Sequence, residues 1–345
     1  MKQIHNLLVV MCTILFIACS NEDDNDLQNV EEGKGGEGVI TMVVDAKEDI
    51  APDYFCIHSF KEGEIITVDW GDDWVEEFKT VVTDRSEFGN GNGYWTDYLK
   101  HSYAKCKSYT ITIKGNIKGL TYLCKYRDIA PLTSLDASRC PALKYLDCPD
   151  NELTSLNVSK NTALEYLDCS DNNLTSLDVS KNTALENLYC SENNLTSLDV
   201  SKNTKLENLY CFSNELTSLD VSKNTALEGF GCSHNNLTSL DVSKNTALKD
   251  LQCASNNLTS LDVSKNTALK VLSCSKNNLT SLDVSKNKEL YALYLNHNKF
   301  SSSALNKIFT DLPKITNWGE ISIYENPGTE TCDKSIAEKK GWRVN

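Results

Sequence analysis

Seven cysteines recur every 21 residues in the second half of the chain, and regularly spaced thiols could bind metal, form disulfides or pack in a core. A linear column cannot bring four ligands into the tetrahedral arrangement that zinc prefers. Seven is also an odd number for disulfide pairs, whereas a buried thiol behaves as a small apolar group. We therefore interpret the column as core packing and predict no metal and no cofactor. Its members are Cys148, Cys169, Cys190, Cys211, Cys232, Cys253 and Cys274.

A column of aspartates, each followed by a lysine three residues later, could be mistaken for paired catalytic carboxylates. Equal charges stacked about 4.8 Å apart would repel, and the adjacent lysine column offsets that repulsion. A catalytic site would also have to differ from the equivalent positions of the other copies, whereas these aspartates recur in every copy. We interpret them as a solvated face. They are Asp178, Asp199, Asp220, Asp241, Asp262 and Asp283.

The remaining candidates for chemistry are scattered. His58, His101, His234 and His297 stand in no recognisable metal or nucleophile motif, and the chain has no Gly-x-Ser-x-Gly, His-Glu-x-x-His or phosphate-binding glycine loop. The net charge of −14 disfavours binding to a phosphate backbone. The sequence therefore predicts a protein that is not an enzyme and has no nucleic-acid partner.

The element that must position these columns is a unit of two similar half-turns. The first half reads Leu-x-x-Leu-x-Cys-Ser-x-Asn-Asn and the second Leu-x-x-Leu-x-Val-Ser-Lys-Asn-Thr. Leu-x-Cys and Leu-x-Val have the period of a strand, and one unit cannot bury its own leucines. The pattern predicts a mainly β solenoid with parallel strands. Seven complete units begin at Leu143, Leu164, Leu185, Leu206, Leu227, Leu248 and Leu269.

An asparagine column accompanies the cysteines. An inward amide can donate to and accept from backbone groups at a turn, where buried backbone groups must be paired. We predict that role for Asn151, Asn172, Asn193, Asn214, Asn235, Asn256, Asn277 and Asn298.

This pattern resembles the leucine-rich repeat family over residues 120 to 300. Within that family, the 21-residue unit with cysteine on the inner strand is similar to internalin J-like repeats of bacterial surface adhesins. The resemblance implies a curved solenoid with a parallel sheet along one side. It also implies a binding protein whose partner is a host or neighbouring-cell surface protein.

The first half of the unit varies among the copies, while LTSLDVSKNT is nearly fixed. The varying outward positions hold aromatic residues followed by two glycines, which we expect to leave a shallow hollow beside the rings, lined on its far side by polar residues. Amphipathic aromatics on a rigid sheet suit a protein partner or stacking on sugar rings. The predicted ligand-binding residues are Tyr145, Tyr166, Tyr189, Tyr210, Phe212, Gly229, Gly231, His234, Asp250 and Gln252.

Several explanations of this surface remain open. Adhesion through protein–protein recognition is our leading interpretation, and a carbohydrate-binding accessory lipoprotein is the alternative. Stacked tyrosines could also merely stabilise an exposed sheet, because tyrosine has high strand propensity. Random drift between young duplicates is a further competitor.

The amino terminus predicts export and lipid attachment. Lys2 precedes an apolar run, and the ending Phe16-Ile17-Ala18-Cys19 resembles a bacterial lipoprotein cleavage site. We predict a signal peptide over 1–18, lipidation of Cys19, and an acidic, Gly-rich linker over 19–37 that cannot fold. An ordinary signal peptide with a chance cysteine is the alternative.

The acidic run SNEDDND follows directly and resembles a signal that sends lipoproteins to the outer face of the outer membrane. A flexible tether is the simpler explanation of the same residues, and both can hold. We therefore expect an outer membrane lipoprotein, exposed at the cell surface and held to the membrane by its lipid alone.

Two other segments flank the repeats. Residues 38–115 alternate like strands of a small β-sandwich, and VDWGDD with the later His-x-Tyr resembles a PKD-type immunoglobulin-like domain. Asp69, Asp72 and Asp73 there are interpreted as turn formers, with calcium ligands as the alternative. The solenoid is expected over 116–300 and a short α/β cap over 301–345. The sequence leaves open the pairing of Cys56, Cys106, Cys124, Cys140 and Cys332.

Overall fold

The computed structural model describes residues 38–46, 55–84, 92–95, 99–103, 105–122, 130–316 and 319–345. The predicted signal peptide, Cys19, the linker and Cys124 lie outside these residues. No helix within the described ranges is long and apolar enough to span a membrane.

Strands dominate the described residues. In chain order they are β1 (Gly38–Ala46), β2 (Phe55–Ser59), β3 (Ile65–Asp69), β4 (Val75–Lys79), β5 (Val81–Asp84), β6 (Asn92–Trp95), β7 (Lys107–Gly115), β8 (Ile117–Tyr122), β9 (Leu132–Arg139), β10 (Tyr145–Asp147), β11 (Tyr166–Asp168), β12 (Asn187–Tyr189), β13 (Asn208–Tyr210), β14 (Gly229–Gly231), β15 (Asp250–Gln252), β16 (Val271–Ser273), β17 (Ala292–Tyr294), β18 (Gly319–Ser322) and β19 (Trp342–Val344). The helices are α1 (Ser302–Asp311) and α2 (Ser335–Glu338).

Strands β10 to β17 confirm the predicted parallel solenoid. Each is three residues long and pairs in parallel with the next, so that Tyr145 lies beside Tyr166 and Leu146 beside Leu167. The register never shifts by a residue between consecutive units, which keeps every inward position above its counterpart. We use the word rung for one such 21-residue unit.

The cysteine column lies inside this stack, as predicted. All seven side chains are fully buried and all seven thiols are free. Leu295 occupies the same inward position on the last rung and is also fully buried. Burial raises the pKa of every thiol in the column, so these groups stay neutral and pack as apolar atoms.

The asparagine column joins consecutive rungs, which confirms its predicted role at a turn. The Nδ2 group of Asn172 donates to the carbonyl oxygens of Cys169 and Cys148, both at 3.1 Å. Its Oδ1 atom accepts from the backbone N–H of Leu153 at 3.0 Å. The same set of bonds recurs at Asn193, Asn214, Asn235, Asn256 and Asn277.

A second asparagine column, which the sequence analysis missed, lies in the fixed half of the unit. Asn182 is fully buried, and its Nδ2 group donates to the carbonyl oxygens of Val158 at 2.9 Å and Asn161 at 2.8 Å. Its identity in every copy was the available signal. The column consists of Asn161, Asn182, Asn203, Asn224, Asn245, Asn266 and Asn287.

The aspartate column lies on the opposite, solvated side of each rung. Asp178 is exposed and accepts the backbone N–H of Ser180 at 2.9 Å, and the pattern repeats along the column. Hydrogen bonds from Ser180 hold the pKa of Asp178 below its ordinary value. These carboxylates therefore stabilise turns.

The amino-terminal strands continue the solenoid. Strand β8 pairs in parallel with β10 on one side and antiparallel with β2 on the other, and β6 and β5 extend the same sheet. A second sheet has the order β4-β3-β7-β1-β9, and its last strand comes from the chain just before the first complete repeat. Phe55 and Trp70, with ring centroids 5.4 Å apart, pack the two sheets together.

The VDWGDD turn is held by its own side chains and by His101 and Tyr103. Trp70 is fully buried and stacks on His101 with centroids 4.9 Å apart, while the hydroxyl of Tyr103 donates to the Trp70 carbonyl at 3.1 Å. Asp69 accepts from the Gly71 N–H at 3.0 Å, an arrangement expected of a turn-forming carboxylate. Asp72 lies 2.8 Å from the His101 ring.

The carboxyl-terminal residues pack on the last rung. Helix α1 begins after Ser301, whose side chain accepts from the backbone N–H of Ala304, and it buries Leu305, Ile308 and Phe309. Strands β18 and β19 add two parallel strands to the solenoid sheet. The indole N–H of Trp342 donates to the carbonyl of Pro313 at 2.9 Å.

Candidate functional site

The outward positions of β10 to β13, with the second residue after β13, bring five of the predicted residues together. Tyr145, Tyr166, Tyr189, Tyr210 and Phe212 form a continuous row, which we call the aromatic ladder. Successive ring centroids are 6.5, 5.5, 5.4 and 5.4 Å apart. The first two tyrosines precede the central leucine of their strand and the next two follow it, so the ladder crosses the sheet diagonally.

The ring planes decide which surface the ladder offers. Tyr189 and Tyr210 are stacked, with an interplanar angle of 7° at 5.4 Å, so each covers one face of the other. Phe212 is tilted by 47° against Tyr210. Burial, followed by the charges of Asp147 and Asp168, raises the pKa of Tyr166, whose hydroxyl therefore stays protonated. Ring edges and hydroxyl groups are what these stacked tyrosines can present to a partner.

The hollow expected beside the rings is filled, which corrects the sequence-based expectation. Gly229 and Gly231 are buried. A methyl group on Gly231 would lie 2.2 Å from Cζ of Phe212, and one on Gly229 would lie 2.7 Å from the Tyr210 hydroxyl oxygen. The glycines therefore make room for the ladder's own rings, which lean over the next rung.

Two of the three polar candidates, Asp250 and Gln252, lie together, and His234 lies apart from them. Asp250 pairs in register with Gly229, and its Oδ2 atom accepts from Nε2 of Gln252 at 2.9 Å, so this pair borders the glycines as expected. Burial raises the pKa of Asp250. His234 is exposed in the turn after the strand, where its backbone has a φ of 56°.

Two rows of acidic residues lie beside the strands and were not among the residues predicted from the sequence. One row, at the position just before each strand, runs Glu165, Glu186, Glu207 and Glu228. The other row, at the left-handed turn position after the strand, runs Asp150, Asp171 and Glu192, with φ of 57°, 52° and 53°. We call these rows the acidic margins. Reading those two positions rung by rung would have found them.

The acidic margins are only partly neutralised. Nζ of Lys144 lies 2.6 Å from Glu165, and Nζ of Lys249 lies 2.7 Å from Glu228. Glu186 and Glu207 lie between these pairs and take part in no ion pair among the described residues.

Two carboxylates on the strand face could suggest acid–base chemistry. Asp147 and Asp168 are neighbours in register, and burial raises the pKa of both; the charge of Asp168 raises that of Asp147 further. Asp147 is only 7% exposed, which leaves little access for a substrate. No group of three potential metal-ligating side chains occurs within the described ranges.

Comparison with solved structures identifies the fold to which this geometry belongs. No family model and no curated protein match the chain. The functional domain of InlJ from Listeria monocytogenes, which includes a cysteine ladder, superposes with a TM-score of 0.56 at 35% identity, over 66% of this chain and 50% of that one. The fold is a leucine-rich repeat solenoid.

A leucine-rich repeat protein of Leptospira interrogans shares this fold. It superposes with a TM-score of 0.56 at 22% identity, over 62% of this chain and 58% of that one. The chain thus spans about half the length of the InlJ domain and somewhat more of the Leptospira protein.

Proposed function

We propose that the protein recognises another protein through the outward face of β10 to β15, with the aromatic ladder as its anchor. The observation that carries this proposal is the unbroken row of five rings on a sheet of fixed register. Large, amphipathic side chains that need little ordering on binding contribute most at protein interfaces. Nearly fixed residues build the scaffold below them.

The ring geometry favours a protein over a glycan. Stacking on a sugar needs an open aromatic face, whereas Tyr189 and Tyr210 cover one face of each other and Tyr210 meets Phe212 on its other side. Ring edges and hydroxyls remain, and these suit the mixed polar and apolar surface of a protein. The likeness to the InlJ domain, at 35% identity, extends to a cysteine ladder, the column on which this face is built.

The proposal extends to where the protein acts. The lipoprotein-like ending at Cys19 and the acidic residues after it support display on the outer membrane, with adhesion to a host or neighbouring-cell protein as the function. Residues 19–37 would then hold the solenoid away from the membrane. Two assays test this part of the proposal. We expect cells to incorporate labelled palmitate into the wild-type protein and not into the Cys19→Ser variant, and we expect protease added to intact cells to digest the wild-type protein.

The recognition surface is tested by replacing three rings. The full chain with Tyr189→Ala, Tyr210→Ala and Phe212→Ala is compared with the wild type in cross-linking to surface proteins of intact neighbouring cells. Tyr324→Ala is the matched control, because Tyr324 is 47% exposed and lies outside the ladder. We expect the cross-linked protein to be lost only in the triple variant.

Two results would contradict this proposal. Equal cross-linking by the triple variant would move recognition to another surface. A glycan-array signal that requires Tyr210 would favour the carbohydrate-binding alternative. Circular dichroism of each variant verifies that the solenoid is intact.

A further inference from the structure

We infer that the ladder's partner presents a positively charged segment, rich in arginine and lysine. This inference rests on the proposed function and adds the chemistry of the partner. The aromatic ladder lies between the two acidic margins, so a chain lying on the rings would have carboxylates on both sides.

The charge on this face is segregated along the solenoid. Rungs two and three carry an acidic residue in both margins, namely Glu165 with Asp171 and Glu186 with Glu192. On later rungs the same positions hold Lys249, Lys270 and Lys276 instead. A basic segment would therefore be attracted to the rungs of the ladder and repelled by the rungs beyond it, which fixes its location along the sheet.

The carboxylates at the centre of this stretch form no ion pair with any residue that the structure describes. Glu186 and Glu207 are exposed just before the strands that end in Tyr189 and Tyr210, while the ion pairs of Lys144 and Lys249 bound the acidic row at its two ends. Four rungs span about 15 Å at strand spacing, the length of four or five extended residues. The uncompensated charge thus coincides with the stacked rings.

Aromatic rings and carboxylates together suit arginine and lysine. Both side chains lay an apolar stem along a ring and keep the charged head at its rim. Arginine also forms paired hydrogen bonds to a carboxylate. Glu186 and Glu207, which are exposed on the rungs of Tyr189 and Tyr210, can accept from such heads.

The probe for this inference is a phage-displayed library of short random peptides, selected on the immobilised full chain. We expect the enriched peptides to be rich in arginine and lysine, and their binding to weaken as salt is raised. Glu186→Gln with Glu207→Gln should slow association at least about threefold, since charges at the rim of an interface act mainly on the association rate.

Matched variants make the test specific. Glu330→Gln with Glu338→Gln changes the net charge equally at exposed positions near the carboxyl terminus and should bind like the wild type. Glu186→Lys with Glu207→Lys should instead select acidic peptides. Each variant's unfolding curve is measured to verify that it is folded.

The outcomes separate this inference from the proposed function. Neutral or acidic peptides that still need Tyr189, Tyr210 and Phe212 would overturn the basic partner and leave protein recognition by the ladder intact. Unchanged association by the double glutamine variant would overturn it equally. Equal enrichment of peptides on the wild type and on the triple alanine variant would overturn both the basic partner and the proposed function. So would the absence of enrichment on the wild type.

Discussion

At the scale of single residues, the inward side chains of this protein have structural roles that their residue types predict only in part. The cysteines pack as small apolar groups, and both asparagine columns donate to backbone carbonyls of the preceding rung. The sequence predicted the first of these columns because the asparagine, three residues after the cysteine, stands among turn-forming residues. It did not reveal the second, because Asn182 reads equally well as an exposed loop residue.

Removing one bridging amide should be costly. Asn172→Ala leaves the buried N–H of Leu153 without its side-chain acceptor and removes one of the two amide groups that donate to the carbonyl of Cys148. We expect the free energy of unfolding in urea to fall by about 3 kcal/mol. Asn173→Ala, at the exposed neighbouring position, is the control and should cost well under 1 kcal/mol. Equal losses in the two variants would contradict the bridging role.

The buried carboxylate Asp147 should make stability depend on pH. The pKa of Asp147 is raised in the folded state. At pH values above the ordinary carboxyl pKa, the folded protein therefore holds a proton that the unfolded chain has lost. The free energy of unfolding consequently falls as the pH rises. Asp147→Asn should therefore stabilise the protein near pH 7, with the gain shrinking towards about pH 4. Urea unfolding at both pH values measures it, and a gain that is constant with pH would contradict this assignment.

Gly231 and Phe212 should be energetically coupled. Gly231→Ala places a methyl group 2.2 Å from the Phe212 ring, which must turn away. We expect a loss of about 1 kcal/mol in the wild-type background and a smaller loss in the Phe212→Ala background, where Cδ1 of Tyr210, 2.6 Å from the same methyl group, must still shift. A double-mutant cycle of urea unfolding measures the coupling. Additive effects would mean that the ring does not lie over this glycine.

At the scale of elements, the repeat determined what could be predicted. A period of 21 residues with alternating inward positions was sufficient for the parallel strands, their register and the outward direction of the tyrosines. The sharing of β8 and β9 with the amino-terminal sheets was not predictable, because pairing between distant, dissimilar strands has no local signal. The direction in which Tyr210 and Phe212 lean depends on the next rung's glycines, and strand period alone does not contain that information.

Deleting one whole rung should be tolerated. Removing residues 248–268 joins Ala247 to Leu269 and restores the same sequence at the junction. Because rungs contact mainly their neighbours, we expect the shortened protein to unfold in a single transition. The slope of its free energy of unfolding against urea concentration should decrease in proportion to the surface removed with the rung. Removing only residues 248–257 leaves half a rung and should abolish folding. Similar behaviour of the two deletions would contradict a stack of equivalent rungs.

At the scale of the whole molecule, one sheet runs from β5 near the amino terminus to β19 at the carboxyl terminus. Below it, the leucine, cysteine and asparagine columns fix every rung to the next. On it, aromatic residues and charges vary from rung to rung. A rigid, repeated base with a variable surface is suited to recognition, and both proposals depend on the rungs remaining stacked in register.

Alkylation of thiols in the native full chain tests that stacking most directly. Cys106 is exposed, whereas the seven cysteines of the column are fully buried with raised pKa, and only accessible thiolates react quickly. With iodoacetamide and mass spectrometry, we expect Cys106 to be labelled rapidly and the seven column cysteines only after unfolding. Labelling of the seven at the rate of Cys106 in native protein would contradict the stacked solenoid.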